Sequence, residues 1–296
     1  MNYVIKTPAR RVFNVFNILL LAFFGFICLA PVLHCIFCSF SDPTLMAQHS
    51  GIVLWPLYDE THPLTYYGYS MVLGNNSLLM GYSNTIFYCA VGGTFSTIFC
   101  TMGGFVLSRK GLVLKKYVMI MITITMFFNG GMIPTYMVIK SLGMLDTRWV
   151  MVIPGAVNVM SLVIIRTAIQ GLPDSLEESA RLDGAGNWTI LFRIVIPLAK
   201  ATVAVLALQY VLQKWNSYME AMIYLQTRSL YPLQVILKEI LTQSDSSSLT
   251  YDPELAKYSD LIEYCTIVVA IVPIFAFYPF ILKYFTKGMM VGSLKG

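Results

Sequence analysis

The chain has 296 residues, 57% of them hydrophobic and only 12% charged, with a formal net charge of +5 and a mean hydropathy of +0.68. That balance excludes an ordinary soluble domain and points to a bilayer. The cation surplus needs no nucleic acid to explain it, because membrane topology accounts for it.

Six apolar runs, at about 12–40, 82–107, 117–139, 149–169, 194–218 and 264–285, hold roughly 20 or more predominantly apolar residues each, enough to cross about 30 Å as helix. None alternates as a strand would, and lipid leaves backbone groups no partner but the segment itself, so the expected fold is an all-α membrane protein with six transmembrane helices. The first run follows Lys6, Arg10 and Arg11 as a secretory leader would. It continues past the 7–15 residues of a leader's apolar region and is read as an uncleaved first span. Prolines at 31, 134, 154, 273 and 279 fall within runs and are expected to kink their helices.

Between the spans, three connections are expected outside: Ser41 to Gly81, Lys140 to Arg148, and a polar stretch from about Leu225 to Glu263. The last contains SLYPLQVILKEILTQSDSSS, read as a short amphipathic helix followed by a serine run. Two connections are expected inside: a short basic loop carrying Arg109, Lys110, Lys115 and Lys116, and a longer one from Gln170 to Arg193. With both termini cytoplasmic, 14 of the 20 Lys and Arg residues fall inside, as the positive-inside rule requires. Cys28, Cys35, Cys38, Cys89, Cys100 and Cys265 all lie in predicted spans, where free cysteine acts as a small hydrophobe, so no metal site is expected.

The longer inner loop holds EESARLDGAGNWTILFRIVIP, residues 177–197, an unusually charged and glycine-bearing stretch for so apolar a chain. Asp174 with Glu177 three residues on fits a capping box, starting a helix at about Ser175. Leu176 and Ala180 share one face, and Glu177, Glu178 and Arg181 take the polar side. Gly184 and Gly186 end that helix, and Asn187 is placed to cap the next, which runs into the fifth span. Such a bent helix pair suits docking into a partner's groove; on shape alone, an amphipathic loop lying at the lipid interface fits equally.

The residues also carry a resemblance. Glu178-Ser179-Ala180, three residues, Gly184, nine residues, then Ile194-Val195-Ile196-Pro197 is similar to the EAA loop of ATP-binding-cassette (ABC) importer permeases, within residues 173–197. Ser179 replaces the second alanine of that pattern and Ile196 its leucine. GGMIPTYMVIKSLGMLDTRWVMVIP from Gly130, QKWNSYMEAM from Gln213 and the tail KGMMVGSLKG from Lys287 extend the resemblance over nearly the whole chain, to the MalG-like carbohydrate permeases and, among them, to the YtcP-like oligosaccharide permeases.

The resemblance implies one transmembrane domain over residues 1–296, in the cytoplasmic membrane of a bacterium, that moves an oligosaccharide by alternating access. It implies a second, MalF-like permease, two ABC ATPase subunits and an extracytoplasmic solute-binding protein as partners. Glu178 is then the acidic contact to an ATPase, Gly184 the bend, and Ser179, Ala180, Leu182 and Asp183 the docking surface. The tail 286–296, with Lys287, Gly288 and Lys295, reaches toward the same ATPase; a basic terminus near anionic lipid is the alternative. In the maltose importer the bound sugar is held by the partner permease and not by MalG, so the resemblance implies that this chain forms only part of the wall.

No G-x-x-x-x-G-K-[ST] loop is present, and His34, His49 and His62 assemble no nucleophile and base set. The chain is therefore expected to bind no cofactor, with ATP and Mg on the partner ATPase. Polar residues inside apolar runs, Asn129, Asn158, Gln209, Gln213, Trp215, Asn216 and Glu220, are the candidates for a substrate pathway; hydrogen bonding between helices uses the same residue types. The competing readings are a self-sufficient secondary transporter or channel, an ABC importer permease for a non-sugar solute, and a membrane enzyme.

Overall fold

The computed structural model describes residues 8–111, 113–247 and 258–276, and all regular structure among them is helical. The chain divides into two compact units, Met1–Asn75 with Glu239–Val272, and Asn76–Lys238 with Pro273–Gly296.

In the first unit, α1 (Pro8–Phe40) is a continuous 33-residue helix with Pro31 inside it. Its apolar side chains from Val12 to Leu29 are exposed, as a lipid-facing or partner-facing span requires. Its C-terminal end is built differently. There His34 stacks edge-on with Tyr264, and the Cys265 thiol donates to the Ser39 carbonyl at 3.4 Å. Asp42 caps α2 (Pro43–Gln48), its carboxylate accepting from the Thr44 amide at 2.8 Å, with Pro43 opening the helix. A short α3 (Tyr67–Leu73) follows, with Gly68 set against Cys265 and Leu261 of the last described helix, Tyr258–Ala276.

The second unit opens with α4 (Asn76–Phe87), a π turn (Tyr88–Gly92) and α5 (Gly93–Ser108), which together form one 33-residue apolar helix. Then come α6 (Lys115–Phe127), α7 (Met132–Ser141), a 3₁₀ turn (Arg148–Met151), α8 (Val159–Gln170) and α9 (Asp174–Leu182). Next, α10 (Asn187–Thr189), a π turn (Ile190–Val195) and α11 (Ile196–Leu198) lead into α12 (Lys200–Trp215). Last are α13 (Tyr218–Tyr224) and, after a 3₁₀ turn, the start of α14 (Leu233–Ser247), whose residues from Glu239 onward belong to the first unit.

Close backbone approach organises this unit. A Cβ at Gly104 would lie 2.4 Å from Ile165 Cγ2 and 3.1 Å from the Arg166 amide nitrogen, and one at Gly103 2.9 Å from Leu162 Cδ1. Only glycine lets α5 and α8 pack so near, the small-residue contact expected of helices in lipid. One buried cluster forms around Cys100, Ile165, Ile190, Leu206 and Tyr210, and a second around Tyr88, Met151, Ala221 and Val235.

Among the described residues the six expected spans are met in part. Three described helices, Arg10–Phe40, Asn76–Ser108 and Tyr258–Ala276, are long and apolar enough to cross a membrane, or up to five if each of two bent pairs counts as one crossing. The run at 117–139 breaks between α6 and α7 with a 117° bend, because Gly131 takes φ +85°, a conformation that suits glycine. The run at 194–218 begins earlier, at Asn187, and bends by 88° at Ala199. Of the run at 149–169 only α8 is a regular α-helix.

Two of the prolines lie otherwise than expected, while Pro31 and Pro273 fall inside helices. Pro134 sits in the first turn of α7, where a missing amide costs little, and Pro154 lies in a turn before Gly155, which has φ +69°. Pro279, residues 277–285 of the last run and the tail with Lys287, Gly288 and Lys295 lie outside the described residues. The amphipathic helix expected on the outside is α14, and it continues into the serine run as far as Ser247.

Candidate functional site: a glycine-jointed elbow

The charged stretch forms two helical pieces at an elbow. Helix α9 ends in a Schellman motif: the Gly184 amide donates to the Arg181 carbonyl at 3.0 Å and the Ala185 amide to Ala180 at 2.9 Å. Gly184 has φ +80°, the left-handed conformation this ending requires. Ala180 and Ala185 are half-buried against the cluster around Ile190. Glu178, Ser179, Leu182, Asp183 and Gly184 are exposed, and Leu182 keeps 90% of its surface open.

The expected capping box is absent. Helix α9 begins at Asp174 behind Pro173 with no side-chain cap, because both carboxylates are engaged elsewhere. Asp174 pairs with Lys110, and Glu177 pairs with Arg109 and accepts from Arg181 Nε at 3.1 Å. Glu177 therefore faces its own unit, where sequence pattern placed it on the outward polar side. Asn187 is the first residue of α10 and not its cap, which is Gly186; the Asn187 side-chain Oδ1 accepts from an Arg181 guanidinium nitrogen at 3.4 Å.

The basic residues after α5 serve that helix's end. Lys115 Nζ donates to the Ser108 and Arg109 carbonyls, at 3.3 and 2.9 Å, and Arg166 Nε to the Leu107 carbonyl at 3.1 Å. Cations thus satisfy the carbonyls that a helix C-terminus leaves unpaired. The Arg109 guanidinium lies 3.9 Å from the centre of the Phe105 ring. The hydrogen bond and charge of Asp174 raise the Lys110 pKa above its ordinary value. Between α9 and the unit lies a cleft of about 320 Å³, lined among others by Arg109, Lys110, Glu177 and Ile194.

The pathway candidates separate. Gln209, Gln213 and Asn216, spaced four and three residues apart, are all exposed and so share one face of α12. Asn216 Nδ2 also donates to the Leu212 carbonyl at 2.9 Å. Asn158 is engaged locally: its side chain caps α8 through the Ser161 amide, and its own amide donates to the Tyr210 hydroxyl. Asn129 accepts from the Gly131 amide at the α6–α7 break. Trp215 is buried, while Glu220 is partly exposed.

Sequence reasoning missed three residues. Arg109 and Lys110 were visible only as inner-loop cations, and nothing local showed that their carboxylate partners stand more than 60 positions away. Lys214, next to the named pathway residues, is 1% exposed, and its stem packs on Gly92 in the π turn. Among the described residues its Nζ has no hydrogen-bond partner, and the Glu220 carboxylate stands 4.0 Å away. Among the described residues no cluster of three or more His, Cys, Asp or Glu is placed to hold a metal ion.

Comparison with known proteins decides the family. No protein-family model matches the chain. Protein LplC of Bacillus subtilis (strain 168) is 36% identical over 293 residues, covering 98% of this chain and 97% of the relative. The polygalacturonan/rhamnogalacturonan transport system permease protein YtcP of the same organism is 34% identical over 295 residues, covering 97% and 99%. A chain from the crystal structure of a bacterial ABC transporter involved in the import of the acidic polysaccharide alginate has a TM-score of 0.84 and 31% identity, covering 95% of this chain and 99% of that chain. The chain belongs to the ABC importer permeases. The permease is thus a transporter subunit and not itself an enzyme, and ATP hydrolysis lies in the partner ATPase.

Proposed function

We propose that this permease imports a carbohydrate, an oligosaccharide, across the bacterial cytoplasmic membrane, and that the elbow at residues 173–197 couples it to an ATPase. The observation that carries the cargo reading is full-length likeness to YtcP and to the alginate importer chain, whose names speak of sugar polymers. The same likeness supports a complex of this chain with a second, MalF-like permease, two ABC ATPases holding ATP and Mg, and a solute-binding protein. Both termini are assigned to the cytoplasmic side on charge.

In this reading Glu178, Ser179, Leu182 and Asp183 meet the ATPase, Ala180 seats the elbow on the bundle, and Gly184 sets its angle. The exposure of the first four supports it, as does the apolar Leu182 standing in the open at the tip. The tail with Lys287, Gly288 and Lys295 is assigned to the same interface by resemblance. Gln209, Gln213 and Asn216 present amides along one face of α12 to sugar hydroxyls, and Glu220 adds a carboxylate acceptor beyond its end. Trp215 stands behind them, and Asn158 and Asn129 serve the backbone.

The test is reconstitution of the permease with its genetic neighbours for the second permease and ATPase. Uptake of labelled oligosaccharide that requires ATP and the binding protein supports the proposal. Uptake of a non-sugar solute alone, under the same conditions, overturns the cargo assignment.

A further inference from the structure

The chain joins α9 to α8 through residues 171–173, and two further attachments hold the elbow to its unit. On one side Ala180 and Ala185 pack on the apolar cluster, and the chain continues through α10 and α11 toward α12. On the other, α9 faces the cleft and is tied across it by charge, Glu177 to Arg109 and Asp174 to Lys110. Arg109 is well anchored for this. It directly follows α5, lies on the Phe105 ring, and belongs to a helix end held by Arg166 and Lys115.

Exposed pairs such as Lys110–Asp174 contribute little and are screened by salt. Arg109 and Glu177, 15% and 32% exposed, are screened less. Helix α5 in turn touches α8 backbone to backbone through Gly104 and is continuous with the helix back to Asn76.

We propose that Arg109 is a positioning residue for transport: through Glu177 it pins the N-terminal end of α9 to α5, so that a push on the elbow enters the Asn76–Ser108 helix as well as α12. A lever held by its chain connections alone, at residues 171–173 and at Gly184, would turn about those joints. Tied to Arg109 as well, it moves the Asn76–Ser108 helix together with α12. The inference rests on the reading of the elbow as the ATPase contact, and it concerns the face of α9 turned away from that contact.

The experiment uses the complete complex in liposomes and reads oligosaccharide imported per ATP hydrolysed. Arg109→Gln and Glu177→Gln are each expected to lower that ratio about threefold or more, with ATPase subunits still bound and hydrolysis continuing. The double variant is expected to lose no more than the worse single one, because both remove the same contact, and Arg109→Lys to recover at least half of the ratio. Unchanged ratios in both assembled single variants, multiplied losses in the double variant, or loss of the ATPase from the complex would overturn the proposal. Should Arg109→Gln fail to fold, Glu177→Asp carries the test, since it keeps the charge and shortens the reach: a lowered ratio supports the pin and a wild-type ratio contradicts it. A wild-type complex that imports nothing on ATP contradicts the underlying reading instead, a result distinct from an active wild type whose variants keep its ratio.

Discussion

Glu177 and Glu178 are adjacent in the chain but differently placed: Glu177 turns back to Arg109 and Arg181, while Glu178 stays exposed. On the proposed reading, two like charges on one helix turn have separate duties, one toward the permease itself and the other toward the ATPase. Substitutions at the two positions are expected to fail differently. Glu178→Ala weakens association with the ATPase, read by co-purification, while Glu177→Gln leaves association and lowers import per ATP.

Leu182 is 90% exposed, so replacing it disturbs nothing inside the permease. Leu182→Asp is expected to change permease stability by less than about 0.5 kcal/mol and to weaken ATPase association by about tenfold or more, since desolvated apolar anchors dominate interfaces. A melting curve and a pull-down check both halves. Retained association would remove the tip of the elbow from the interface.

At Gly184 no atom lies within 4 Å of where a Cβ would stand, yet φ is +80°, so any penalty comes from the backbone and not from space. Gly184→Val is expected to cost roughly 1–2 kcal/mol or more in elbow geometry, and Gly184→Asn clearly less, because Asn tolerates this conformation. The transport rates of the two variants give the order. Equal rates would mean that the bend carries no function.

Gly104 poses the opposite problem, with ordinary backbone and no room. Gly104→Ala places a Cβ 2.4 Å from Ile165 Cγ2 and 3.1 Å from a backbone nitrogen, so α5 and α8 must separate. The expected cost is roughly 1–3 kcal/mol, seen as a lower melting temperature of the purified permease. An unchanged melting temperature would show that the α5–α8 contact is looser than described.

Asp146 joins two connections, its carboxylate accepting at 2.8 Å from both the Gln226 and Thr227 amides and at 2.5 Å from the Thr227 hydroxyl. The Thr227 hydroxyl and these amides hold its pKa below the usual carboxylate value. The sign follows: the staple is fully present above about pH 3.9, the unfolded value, and is lost as pH falls through the lowered folded value. Amide exchange at Gln226 and Thr227 is expected to stay protected at pH 5 and to be faster in Asp146→Ala at that pH, the difference closing as pH falls through the lowered folded value. Equal exchange in the two proteins at pH 5 would dismiss the staple.

Helix class and the elbow were legible from sequence because each has a local cause: long apolar runs in one case, Gly184 after a short charged helix in the other. The interruptions were not. A hydropathy window passes smoothly over Phe128–Gly131 and over Ala199, where the backbone turns by 117° and 88°, since the turning residues are themselves apolar or small. The capping box failed for a related reason. Asp174 and Glu177 had the right spacing, but Lys110 and Arg109, remote in sequence, took their carboxylates. Of the pathway candidates, the exposed stripe at Gln209, Gln213 and Asn216 follows from helical spacing, whereas the buried amine of Lys214 required knowing that Gly92 leaves room for its stem.

The central claim is that this chain is a passage whose motor lies on other subunits. Liposomes containing the complete complex and its binding protein should accumulate labelled oligosaccharide when ATP is supplied to the ATPase side, and should stop when the ATPase is inactivated. Accumulation by the permease alone, driven by an ion gradient without ATPase or ATP, would contradict it.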